Sequence, residues 1–193
     1  EKIAKAGFKM LLLGIESPHD HILAAMNKGF TQKEIRKYFS VLTKYPIFYH
    51  GNYIYGNIGE TLEEMLYIPE FSKEIGVDSV AFSKLRADKY SPLIDVIDKT
   101  PGYHRTDRGE VYSDAFSHAT LKKIAKRMKF SYYRPLKLTK LGLKLVRVGF
   151  VNVKDLGWFL LVCPLLLMRL ISREVHKNRL GDSLKRIFIR NAA

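Results

Sequence analysis

Cysteine is all but missing from this sequence of 193 residues. Its one thiol, Cys163, cannot close an internal disulfide and cannot by itself hold a metal cluster. That usage suits a reducing cytoplasm. Acidic residues are scarce at one end only. Residues 120–193 hold 3 Asp/Glu against 18 Lys/Arg, a net of +15, whereas residues 1–119 hold 16 against 15, a net of −1. The formal charge of +14 therefore comes from the C-terminal part, an asymmetry expected of two parts with different partners. Long apolar runs are lacking too. The most hydrophobic stretch, 156–168, has 13 residues with Pro164 among them, short of the roughly 20 that a spanning helix needs. There is no Ser/His/Asp or phosphate-loop arrangement, and His19, His21, His104 and His118 lack partners at metal-ligand spacing. His50, in an aromatic strand, reads as a hydrogen-bonded core or pocket histidine.

What is present is an alternation of helices and strands. The opening EKIAKAGFK reads as the last turns of a helix closed by Gly7, as expected of a piece of a longer protein. The continuous apolar run Phe8–Ile15 predicts a strand buried on both faces. Ser17 as N-cap and Pro18 at the first helical position then predict a short helix to Asn27. Thr31-Gln32-Lys33-Glu34 is a capping box, and Ile35, Tyr38, Phe39 and Leu42 recur at helical spacing over about 32–44. A strand over 47–55 and a helix over 62–75, opened by a second capping box at Thr61–Glu64 and kinked at Pro69, follow. Val77–Leu85 is the third strand. With right-handed crossovers these strands lie parallel and adjacent, with helices outside and an apolar edge uncovered. Residues 86–117 read as irregular, and Asp114 as the cap of a helix through Phe130 with Phe116, Ile124 and Met128 inward.

The centre of this pattern is Gly51–Thr61, GNYIYGNIGET: a strand, a glycine turn and a capped helix. In parallel α/β proteins ligands collect at the carboxyl ends of such strands. GIESPHDHILAAMNKGFT, then GNYIYGNIGETLEE, then GVDSVAFSKL resemble, in order and spacing, the second half of a radical S-adenosylmethionine barrel. The resemblance covers residues 1–100 and is greatest to the branch with an N-terminal cobalamin-binding domain, which includes ester cyclase-like, hopanoid-modifying and methyltransferase proteins. The aromatic-Arg-Pro run Phe130–Pro135 is similar to that family's tail.

The resemblance implies an α/β fold: the second half of a partial (β/α)6 barrel with its irregular post-barrel segment over 1–118, then a basic, mostly helical extension over 119–193. It also implies an enzyme in which a [4Fe-4S] cluster cleaves S-adenosylmethionine to a 5′-deoxyadenosyl radical for methyl transfer or oxidative modification. In its cobalamin branch that cofactor sits on a domain outside this sequence. The three-cysteine cluster loop is not in this sequence, so the chain alone is expected to be inactive and to supply one wall of the S-adenosylmethionine site. On that wall the resemblance places Glu16 against the ribose or amino group, with Ser17 secondary to its capping role. Lys28 meets the methionine carboxylate and Asn52 reaches the ribose. Ile54 and Gly56 pack on adenine, with Leu85 touching it through backbone. The loop departs from the family form, with Ile58 where relatives usually have proline and Glu60 one residue later.

The expected partners are a small-molecule or lipid-like substrate and an anionic membrane surface met peripherally through 119–193, with Trp158, Lys154, Arg169 and Arg173 as anchors of segment 156–168. Burial of that segment, or packing in a dimer, is the competing reading. Tyr45, Tyr49, Tyr53, Tyr55 and Tyr90 fit either a pocket for a large planar substrate or plain core packing. Two readings from other classes remain: a nucleic-acid-binding module in which Tyr132, Tyr133 and Trp158 stack on bases, and a non-catalytic scaffold with a basic tail.

Overall fold

The computed structural model describes residues 2–152, 154, 155 and 157. Residues up to Phe150 belong to one compact unit, and those from Val151 on to a second. In the first, β1 (Met10–Glu16), β2 (Phe48–Tyr55) and β3 (Ser79–Lys84) form a parallel sheet in the order β1-β2-β3. Between them run α2 (Asp20–Ala25), α3 (Gln32–Leu42) and α4 (Leu62–Glu74), after a four-residue α1 (Lys2–Lys5). Both capping boxes form. Thr31 and Thr61 each accept from the backbone of the glutamate three residues on, which in turn accepts from the threonine's own N–H. Helix α4 runs unbroken through a buried Pro69.

Strand β2 shows why one face of the sheet is covered and the other is not. Tyr49, Gly51, Tyr53 and Tyr55 alternate with the half-buried His50, Asn52 and Ile54, as a period of two demands. The tyrosine face meets Ile35 and Phe39 of α3 and Met65, Ile68 and Phe71 of α4, which join it in the main core. The Arg36 guanidinium binds Glu74 at 2.6 Å and lies 4.8 Å from the centre of the Phe71 ring, tying α3 to α4. The opposite face carries Leu12, Asn52, Ile54 and Ser83, and Leu12 is 65% exposed. The apolar run at 8–15 therefore does not mark a strand buried on both faces. It is an edge strand covered by helices on one face only.

Beyond β3 the segment expected to be irregular is ordered. It holds α5 (Leu93–Lys99) and a hairpin of β4 (Tyr103–Arg105) with β5 (Val111–Ser113). Leu85, Ala87, Ile97 and Val111 bury one another in a second small core. Short elements of three and seven residues carry too little periodicity to be read from sequence. Helix α6 (His118–Tyr132) is capped by Ser117, whose hydroxyl accepts from Thr120 N–H. Asp114 is otherwise engaged, 2.7 Å from His104 Nε2. Ile124 and Met128 point into the core as expected, and Phe116 packs against it from just before the helix.

Four of the five tyrosines resolve as packing: Tyr49, Tyr53 and Tyr55 lie in the core and Tyr45 packs against it, whereas Tyr90 is exposed and lines neither core nor pocket. The base-stacking role expected of Tyr132 and Tyr133 is likewise overturned. Tyr132 is fully buried and donates to Val77 O at 2.6 Å, while Tyr133 both accepts from Val80 N–H and donates to Val80 O. After them Arg134 is the N-cap and Pro135 the first residue of α7 (Pro135–Arg147). Among the described residues no helix is long and apolar enough to cross a membrane. Segment 156–168 apart from Gly157, Trp158 within it, and Arg169 and Arg173 lie outside the described residues.

Phe71 holds this one-sided core, so Phe71→Ala is expected to lower the unfolding free energy by roughly 3–5 kcal/mol. Thr61→Ala, which removes only a cap, is expected to cost about 1 kcal/mol. Urea unfolding checks both through the midpoint, with the slope unchanged.

Candidate functional site

The carboxyl ends of the three strands open on a cleft of about 540 Å³, within the roughly 300–1,000 Å³ range of small-molecule sites. Glu16 closes β1, Ile54 lies near the end of β2, and Leu85 follows β3. Ile22, Ala25, Met26 and Lys28 come from α2 and the turn after it, Asn57 and Ile58 from the glycine loop, and Leu93 and Val96 from α5. The floor is apolar; charge comes from Glu16 and Lys28 at one corner and from Arg86 just after β3, which pairs with Asp88 at 3.1 Å.

That corner is built by a break in register. Along β1, Gly14 pairs with Asn52, but Glu16 pairs with Tyr53, so β1 fits one extra residue against β2. Such a bulge re-aims a side chain. Glu16 adopts a left-handed backbone with φ 66°, unusual for a residue with a side chain and a local strain that its surroundings must sustain. Its carboxylate lies back over Gly14, where a Cβ would come within 2.7 Å of Glu16 Oε1. Any side chain at position 14 would push the carboxylate from this place. The same Oε1 accepts from Lys28 Nζ at 3.1 Å. The carboxylate side chain is 16% exposed and the lysine 34%, so the pair is shielded yet open to the cleft.

Of the seven residues expected to touch ligand, Glu16, Lys28, Ile54 and Leu85 line this cleft together. Ser17 does not. It is fully buried, and its hydroxyl accepts from His19 N–H at 3.1 Å. The N-cap of α2 is His19, itself extended at φ −113° and ψ 124°, with Pro18 before it. Asn52 shares the open face of β2 with Ile54 but sits deeper along the strand, beside Gly14 and Ala81, outside the lining. Gly56 has φ 74°, a Cβ there would meet Leu121 of α6 at 3.1 Å, and the residue lies outside the lining. His50 is bonded through Nδ1 to Ser79 Oγ at 2.6 Å. Among the described residues no group of three or more His, Cys, Asp or Glu could hold a metal ion.

Sequence reasoning missed Asn57 and Glu60. Glu60 is 3% exposed, and its Oε2 accepts from both the backbone and the side-chain amide of Asn57 at 2.9 and 3.0 Å. Its Oε1 and Asn57 Oδ1 are buried with no hydrogen-bond partner among the described residues. Burial pushes the Glu60 carboxyl up to about 7, against the opposing pull of the Asn57 hydrogen bonds. The signal that could have found them is the spacing Asn57-x-x-Glu60, which starts after Gly56, spans Gly59 and closes a side-chain bond back onto the loop. Glu60 thus fixes the loop that carries Asn57 and Ile58 into the cleft.

No family model matches the chain. A tRNA-2-methylthio-N(6)-dimethylallyladenosine synthase of Sulfurihydrogenibium sp. (strain YO3AOP1) is 39% identical to it over 84 residues, 42% of this chain and 18% of that protein. The matched part is thus less than a fifth of that relative's length. The likeness supports the radical S-adenosylmethionine superfamily, and with it S-adenosylmethionine and a [4Fe-4S] cluster as the cofactors of the superfamily. It gives no support to the cobalamin branch.

Because the folded-state value for Glu60 lies above its ordinary 4.5, the folded state holds a proton that the unfolded state has released between those values. The stability that Glu60 contributes is therefore fully present below about 4.5 and is lost as pH rises through about 7, by an amount on the order of 3 kcal/mol. Glu60→Gln is expected to flatten this segment of the pH profile in urea unfolding. An unchanged slope would place the titration elsewhere.

Proposed function

We propose that this chain is part of a radical S-adenosylmethionine enzyme of the cobalamin-dependent branch, and that its cleft forms one wall of the S-adenosylmethionine site. One observation carries the reading: a carboxylate and an ammonium 3.1 Å apart at the rim of an apolar cleft, at the carboxyl ends of parallel strands. An amino acid presents the opposite pair of charges. Lys28 would take the methionine carboxylate, and Glu16 the ammonium or the ribose hydroxyls, each as a charge-assisted hydrogen bond. Ile54, Ile58 and Leu85 offer a flat apolar surface for a purine. The residues present fit that group. They do not fit the iron–sulfur cluster, whose three thiolates would have to come from outside this sequence, since Cys163 is its one cysteine. When bound, S-adenosylmethionine supplies the radical chemistry of the superfamily. This chain's residues bind and orient it. No described residue is assigned to cobalamin.

The sheet's one-sided packing agrees with this placement. Helices on a single face, with His50, Asn52 and Ile54 turned to the other, are what a segment of a closed β/α barrel presents, whereas a doubly wound sheet has helices on both faces. The substrate that follows from this reading is apolar or lipid-like, modified by methyl transfer or oxidation.

A second reading is favoured by the relative whose printed name makes it a tRNA-modifying enzyme: the same cofactor wall serving an RNA substrate. Binding of tRNA with a steep loss on raising salt separates the two.

The experiment is calorimetric titration of S-adenosylmethionine into the full protein that carries this chain. Glu16→Gln and Lys28→Met should each weaken binding roughly ten- to a hundredfold, as loss of a hydrogen bond to a charged group does. Affinity unchanged in both variants would remove this cleft from the cofactor site.

A further inference from the structure

Helix α7 is built partly inside out. At 100° per residue its four cations, Lys137, Lys140, Lys144 and Arg147, fall within an arc of about 80°. The arc from Leu138 through Gly142, Val146, Thr139 and Leu143 to Leu136 carries no charge. A surface helix of a globular protein turns its apolar stripe to the core; α7 turns only Leu141 and Leu145 partly inward and leaves Leu136, Leu138 and Leu143 outside. Lys137 reaches inward to donate to Val77 O at 2.6 Å, with its ammonium 4.9 Å from the centre of the Tyr132 ring. Lys144 pairs with Asp78 at 3.2 Å and lies 5.5 Å from the centre of the Tyr49 ring. With Lys137 and Lys144 anchored beside the half-buried Leu141 and Leu145, the other three leucines face out. Leu136 is 69% exposed, Leu143 64% and Leu138 50%, and no residue of the helix is fully buried.

The surroundings indicate what meets this face. No acidic residue occurs between Asp114 and Asp155. Besides the two inward lysines, the cations of α6 and α7 are all exposed: Lys122, Lys123, Lys126, Arg127 and Lys129 on α6, Arg134 at the N-cap, and Lys140 and Arg147 along the border of the apolar arc. Phe130, at the end of α6, is 85% exposed. Leucines spaced seven apart with cations beside them are the arrangement of a helix lying in a membrane interface, its apolar face at the acyl boundary and its cations at the headgroups. Juxtaposed basic residues strengthen such binding only where the lipid is anionic. Leucine adds little to the grip on RNA, where aromatic stacking and phosphate contacts dominate.

We infer that the outer face of α7, with Phe130 and the exposed cations of α6, is a docking surface for an anionic lipid bilayer. The surface rests on α6 and α7 alone and does not depend on the cofactor reading.

The test is sedimentation of the full protein with extruded vesicles of phosphatidylcholine, alone or mixed with phosphatidylglycerol. The protein should partition onto the mixed vesicles and weakly onto the neutral ones. Leu136→Glu/Leu143→Glu and Lys140→Glu/Arg147→Glu should each reduce partitioning roughly tenfold or more, while Glu16→Gln leaves it unchanged. All the substituted positions on α7 are exposed, and circular dichroism melts verify the fold. Should the glutamate pair unfold the protein, Leu136→Ser/Leu143→Ser serves in its place. Partitioning that ignores lipid charge overturns the inference, as does partitioning that survives both α7 variants. So does a protein that ignores vesicles but loses tRNA binding in the Lys140/Arg147 variant, which would make the surface an RNA-binding one.

Discussion

The structure depends on a core that forms on only one side of its sheet. Tyr49, Tyr53 and Tyr55 on β2, backed by Val80 and Phe82 on β3, meet Phe39, Met65, Ile68 and Phe71 from the helices. Burial of these large side chains, each worth on the order of 1.5–3 kcal/mol, fixes the register of β2, because a slip of one residue would send the tyrosines to the open face. The open face carries Gly14, Asn52, Ala81 and Ser83 in neighbouring register, with Leu12 and Ile54 as its larger apolar residues. The same constraint sets where chemistry can happen. Helices seal one face and the loops after the strands gather at one end, so ligand-sized space is found above the strand tips.

At those tips the β1 bulge adds one residue, left-handed geometry at Glu16 turns its carboxylate back over Gly14, and Lys28 meets it after α2. Each element alone has an ordinary explanation. Together they hold opposite charges 3.1 Å apart beside Ile54 and Leu85. The opposite wall comes from α5, whose placement depends on the small core of Leu85, Ala87, Ile97 and Val111. Glu60 stiffens the loop between by folding its carboxylate onto Asn57.

Much of this was legible before the structure. The capping boxes at Thr31 and Thr61, the strand at 48–55 and helix α3 carry strong local signals, and each formed within two or three residues of its expected bounds; of the apolar positions of α3, Ile35 and Phe39 are buried while Tyr38 is exposed. Glu16, Lys28, Ile54 and Leu85 were legible through their resemblance to known motifs. What escaped had non-local causes. The bulge at Glu16 depends on pairing with β2, and no property of the sequence around Ser17 shows that the helix waits until Asp20. The hairpin of β4 and β5 has strands of three residues, too short for alternation to show. Helix α7 has a clear apolar stripe, and sequence alone would turn that stripe inward. Three of its leucines face out instead, while Lys137 and Lys144 turn in to Val77 O, Asp78 and the rings of Tyr132 and Tyr49.

The most direct measurement of the central claim is hydrogen exchange of the full protein with and without S-adenosylmethionine. The account predicts added protection in three separate stretches, residues 14–17, 54–60 and 85–87, which share only the cleft. Protection confined to other segments, with these three unchanged, would contradict it.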